Sequence, residues 1–217
     1  MPLLDSYSIV IVGAMNPRIH HPLFYKTIGI AREEEAQAAL DSPGLVCLPQ
    51  LAQLTLGPIT IVCLPDRWQA TTNESGQSGR LLDIAVRVST VLEYTPTSAF
   101  AFNFDLMKEL PLTVSLTLGG LLRSLDIGLP DDPEALAGLT FVRSAEEADV
   151  SVKTSTVIDS PVDVPNALFV KTNVVYQIKL AGQFDLGAMM KGRFEKDQIA
   201  AKAQFDVTAA ALERKGH

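Results

Sequence analysis

Between Ser98 and Leu106, three phenylalanines, Phe100, Phe102 and Phe104, alternate with Ala101, Asn103 and Asp105. In extended chain, a period of two puts the three rings on one face and the small and polar residues on the other. Three rings in a row must be buried against something apolar. The strand therefore belongs to a sheet with one covered and one open face, as in antiparallel sheets flanked by helices.

The rest of the chain follows the same logic. Tyr7–Gly13 is rich in β-branched residues, as a buried strand requires. Leu45–Leu48, Gln50–Leu56 and Ile59–Leu64 read as further strands. Pro65-Asp66-Arg67 interrupts the last, and Trp68–Thr71 is expected to continue it past a bulge. In the second half, Thr140–Val142 is a strand candidate, and Val150, Val152, Thr154, Thr156 and Ile158 share one face of another. Ala167–Leu180 is a strand run anchored by Phe169, Val175, Tyr176 and Ile178.

Four helices are expected between these strands. Pro22 opens the first, which carries Leu23, Phe24, Ile28 and Ala31 inward, turns Glu33-Glu34-Glu35 to water, and ends near Leu40. Gly29 sits in its middle, against helix propensity. Arg80–Tyr94 has a broad apolar face of Leu81, Ile84, Ala85, Val88, Val91 and Leu92. Leu116–Ile127 is a short helix weakened by Gly119-Gly120. Met190–Arg214 closes the chain with a stripe of Phe194, Ala201, Phe205, Thr208 and Leu212. The expected class is α+β, with antiparallel sheets and amphipathic helices in one domain spanning residues 1–217. The order strands, helix, strands, helix suggests two repeats, with halves at residues 1–110 and 111–217.

With 47% hydrophobic residues, a 217-residue chain can bury a core without disulfides or metals. The net charge of −7, with its densest basic cluster only Arg214-Lys215, argues against a nucleic-acid partner. Cys47 and Cys63 lie in apolar stretches and read as buried free thiols. Met1–Asp5 lacks a basic leader region, and no apolar run reaches the ~18 residues that span a bilayer. A cytoplasmic protein with no membrane partner is expected.

Three places could carry chemistry. His20-His21, beside Arg18, could ligate a metal or exchange protons, although adjacent side chains seldom reach one ion and equally serve as local caps. Asp66-Arg67-Trp68 joins two charges to the only tryptophan, as a binding surface or as a core indole beside an ion pair. Asn103, with Asp105, could line a pocket on the open face or simply face solvent. There is no GxGxxG after a strand, no GxxxxGK[ST], no HExxH and no GxSxG. No catalytic residue, cofactor or metal is therefore assigned.

Several segments together resemble a family of uncharacterised bacterial proteins. These are Ile9–Pro22 with Gly13, Asn16-Pro17 and Ile19; Gly29 followed by Arg32-Glu33-Glu34-Glu35; Ile59–Thr71 with Pro65-Asp66-Arg67-Trp68; and Leu92–Pro96 leading into Ala101-Phe102-Asn103-Phe104. An aromatic is usual in that family where Leu23 stands, and here it is Phe24. The resemblance implies a bacterial protein of strand-then-helix organisation and supplies no site residue. The expected function is binding or assembly through protein contacts, as a homo-oligomer, a dimer first. The alternative is a small-molecule-binding enzyme, with a pocket between helix and sheet near His20, His21, Asp66, Arg67 and Asn103.

Overall fold

The computed structural model describes residues 4–111, 113–114, 117–118, 138–161, 164, 166–179 and 184–215. The class is α+β, and the strands among the described residues form one antiparallel sheet of nine rather than several sheets. The strands are β1 (Leu4–Gly13), β2 (Val46–Leu48), β3 (Leu51–Leu56), β4 (Ile59–Leu64), β5 (Arg67–Thr72), β6 (Thr97–Glu109), β7 (Gly138–Glu146), β8 (Val150–Asp159) and β9 (Ala167–Ile178). The helices are α1 (Pro22–Thr27), α2 (Glu33–Leu40), α3 (Ser78–Val91) and α4 (Leu186–Lys215). The helix expected at Leu116–Ile127 lies almost wholly outside the described residues.

The strand order is β2-β3-β4-β5-β1-β6-β9-β8-β7. Read outward from its central pair, it is nearly palindromic. On one side β1 is flanked by the meander β5-β4-β3, and on the other β6 is flanked by β9-β8-β7. In each set a long strand comes first, a meander returns to its side, and a helix follows: α3 after β5, α4 after β9. This strand order groups β6 with the second set.

Local chemistry sets the breaks. The expected first helix is two helices, α1 and α2. Gly29 has φ 75°, in the left-handed region, and the Ile30 and Gly29 amides donate to the Tyr25 and Lys26 carbonyls at 2.9 and 3.0 Å. These are the two bonds of a Schellman stop, which glycine makes without a Cβ penalty. As a result Tyr25 is buried and Leu23, expected inward, is exposed. Trp68 does not continue β4 past a bulge. Leu64 pairs with Arg67, so Pro65-Asp66 is a two-residue turn and Trp68 lies on a separate strand.

All the large core residues lie on one face of the sheet. Tyr7, Ile9 and Ile11 of β1, Phe100, Phe102 and Phe104 of β6, and Val170, Val174 and Tyr176 of β9 are buried there under the helices. The apolar stripes of α3 and α4 fall where the spacing put them, with Leu81, Ile84, Ala85 and Val88 on one and Phe194, Ala201, Phe205 and Leu212 on the other. The last helix starts at Leu186, four residues before the expected Met190. Phe169 and Val175 alternate with the buried set of β9 and so point to the other face, contrary to their expected anchoring role.

That other face carries no helix among the described residues. One register row crosses it: Thr55, Thr60, Thr71, Ser8, Asn103, Asn173 and Ser155, seven uncharged polar residues on adjacent strands. The two edges differ. β2 has three residues, whereas β7 has nine, all exposed except half-buried Leu139. Cys63 is buried and Cys47 is exposed, which corrects the expectation of two buried thiols.

Candidate functional site

The first site grows from the turn before α1. Asn16 caps a single 3-10 turn at Pro17–Ile19, and His21 caps α1, its Nδ1 accepting from the Leu23 amide at 3.3 Å. Between these two caps His20 is driven inward, to 1% exposure. Its Nδ1 lies 2.7 Å from the Tyr25 hydroxyl, and the Trp68 indole N–H donates to that same oxygen at 3.1 Å. Indole can only donate, so Tyr25 accepts from it, and the Tyr25 hydroxyl and His20 Nδ1 share a second hydrogen bond whose direction is set by the histidine tautomer. The other ring nitrogen of His20, Nε2, is buried without a partner among the described residues.

Burial lowers the His20 pKa to about 4 and raises that of Tyr25. The adjacent Cys63 thiol is pushed up to about 12 by burial. Every group is thus held neutral. The cluster holds a proton in place at neutral pH and offers no charged nucleophile or base.

The remaining expected residues do not join it. Asp66 and Arg67 are exposed in and beside the β4–β5 turn, and the Asp66 carbonyl accepts from the Gly13 amide at 2.9 Å. Asn103 is on the opposite face of the sheet from His20. Its amide donates to Ser8 Oγ at 2.8 Å, and its oxygen accepts from Asn173. Of the residues expected around one pocket, His20, His21, Asp66, Arg67 and Asn103, the sheet separates His20 from Asn103. Only His20 and Trp68 meet, through Tyr25, whose role no motif announces.

Two larger hollows lie on the helix-covered face. One, of about 1060 Å³, lies between the end of α3 and the start of α4, with Ile11, Met15, Trp68 and Leu186 among its lining. The other, of about 920 Å³, is a cleft between α4 and the strands β7, β8 and β9. Its upper wall is a polar network that sequence reading missed. Tyr176 donates to Asp197, and the Arg193 guanidinium lies over the Tyr176 ring at 4.8 Å and pairs with Glu147 at 2.7 Å. Burial raises the Asp197 carboxyl, and burial with that hydrogen bond raises the Tyr176 hydroxyl. These residues come from β9, the β7–β8 turn and α4, so only the fold assembles them.

Among the described residues, no group of three or more His, Cys, Asp or Glu side chains is placed to hold a metal ion. No helix among them is long and apolar enough to cross a membrane. No family model matches this chain, and no curated protein matches it.

Proposed function

We propose that the protein is a binding and assembly protein that works through protein contacts, with a second copy of itself as the first partner and the outer edge of β7 as the contact. The observation that carries this reading is the contrast between the sheet's two edges. A sheet edge is a row of unpaired N–H and C=O groups, and chains that avoid association shorten it, charge it or interrupt it with proline. β2 is short and is followed by Pro49. β7 is three times as long, has no proline, and has Arg143 as the one charge before its final residue. Phe141 and Val142 at its centre are 55% and 57% exposed. An antiparallel edge can pair with its own copy about a two-fold axis.

The test is sedimentation equilibrium across a wide concentration range, on the native chain and on a Phe141→Lys, Val142→Lys double variant. Both positions are exposed, so the variant keeps its fold. A native dimer that the lysines convert to monomer supports the reading. A native chain that stays monomeric throughout removes it.

A further inference from the structure

Resting on the β7 contact above, we propose that the uncovered face of the sheet is a second interface between copies of this chain, on which edge-joined pairs stack face to face. The distribution of charge on that face carries the inference. Beside the polar row from Thr55 to Asn173 runs the register row Gln53, Val62, Gln69, Val10, Ala101 and Val175. Beyond it lie Leu64, Arg67, Val12, Ala99 and Gln177. In these three rows, from β3 to β9, Arg67 is the only charged residue. Charged residues make up 20% of the chain, so a water-facing surface of this size should carry several. Charges return where the rows stop. Asp105 and Lys171 lie in the row on the far side of Ser8 and pair at 3.8 Å, and Lys153 continues the middle row onto β8. A centre depleted of charge, with charges at its border, is the composition of a protein interface.

The chemistry of the face selects its occupant. Nucleic acid needs facing lysines and arginines, and these rows offer one arginine. A small ligand needs a concavity, and the larger hollows lie on the opposite face. Ser, Thr and Asn side chains each donate and accept, so a row of them can hydrogen-bond to its own copy, and an uncharged row meets its copy without repulsion. Size points the same way. Six strands about 4.8 Å apart and three rows about 6.7 Å apart cover on the order of 600 Å² per copy. One copy against one copy removes about 1,200 Å² from water, the lower bound of a stable contact. The β7 contact doubles it. Antiparallel strands related by a two-fold axis perpendicular to the sheet keep both uncovered faces on the same side, and the polar row itself runs through Ser155 to Val142, in the middle of that contact. Stacking two joined pairs then removes about 2,400 Å², with the second half of the contact made intramolecularly.

The test is sedimentation equilibrium, carried to high concentration, on the native chain and on a Thr60→Glu, Gln69→Glu variant. Thr60 is exposed and Gln69 half-buried, and neither lies on β7. Gln69 donates to the Thr71 hydroxyl at 3.1 Å, and a glutamate there can accept from it instead, so the variant folds. The native chain is expected to form dimers that pass to tetramers as concentration rises. The glutamates, unpaired against their own copies, should weaken tetramer formation by about a hundredfold or more and leave the dimer intact. X-ray scattering from the native chain needs no variant: stacking thickens the particle, so its maximum dimension should stay close to that of the dimer. Native dimers that associate no further overturn the stacking and leave the β7 contact standing. So does a tetramer that the glutamates leave intact, or one whose maximum dimension nearly doubles. A dimer abolished by the glutamates and untouched by lysines at Phe141 and Val142 removes the edge reading and upholds the face as an interface. A chain monomeric throughout removes both.

Discussion

Protonating His20 should unlock the N-terminal part of the fold, and the size of the effect follows from its burial. In the folded chain its pKa is about 4, against an ordinary value of 6.5, because the imidazolium would lose its hydration at 1% exposure. Between those two values the unfolded chain binds a proton that the folded chain refuses. Stability therefore falls with falling pH through this window. The contribution is fully present above about pH 6.5 and fully lost below about pH 4. At ~1.4 kcal/mol per pH unit, the loss comes to about 3 kcal/mol. Asp105 and Asp197, whose carboxyls burial raises, contribute with the opposite sign. They must be subtracted, and a His20→Asn variant does this. Its side-chain amide can take the place of Nδ1 as the hydrogen-bond partner of Tyr25 in either direction, and it does not titrate. Urea unfolding near neutrality and at about pH 4.5, followed by the emission of Trp68, the only tryptophan, reads the difference. The native chain should lose about 2–3 kcal/mol more than the variant between the two conditions. Equal losses would refute the reasoning, because His20 would then titrate alike in the folded and unfolded chain.

Two further outcomes follow from close contacts and exposure. A Cβ built on Gly13 would collide with the Pro96 carbonyl oxygen and meet the Thr97 Cα at 3.0 Å, so Gly13→Ala forces β1 and β6 apart. It should cost about 1–3 kcal/mol in urea unfolding, and a variant as stable as the native chain contradicts that close approach. Cys47, exposed, should react with a thiol reagent in the native protein. Cys63, buried and with its pKa pushed up to about 12, should react only on unfolding, so two fast thiols would count against the packing of β4.

The elements were legible wherever a period ran long enough to be read. The alternating phenylalanines of β6 and the stripes of α3 and α4 depend on local spacing alone. Gly29 was visible as a helix breaker, but whether it would kink or stop the helix depended on bonds from Ile30 and Gly29 back to Tyr25 and Lys26. Pro65-Asp66 could be a bulge or a turn, and only the pairing of Leu64 with Arg67 decides. Sites were harder to see. His20 and Trp68 stood out by residue type, and what joins them is Tyr25, at a separation of 43 residues from Trp68. The surroundings of Asp197 need the register of β8 with β9 and the seating of α4. Strand order, too, is left open by sequence patterning. Asn103 shows the consequence: its alternation with phenylalanines correctly put it on the uncovered face, which separates it from His20.

The near-palindromic strand order also shapes how the chain folds. Within each set the meander contacts are close in sequence, and loops of modest length close them at small entropic cost. The sets meet along β1 and β6, from Leu4↔Met107 to Gly13↔Thr97, and where α3 touches α4. The β1–β6 contacts span far more chain than the meander contacts within either set, so loop closure delays them relative to those. Until they form, both β1 and β6 present a naked edge longer than that of β7. The dangerous moment for this protein is therefore during folding, when the first set has emerged from the ribosome and waits, edge open, for β6.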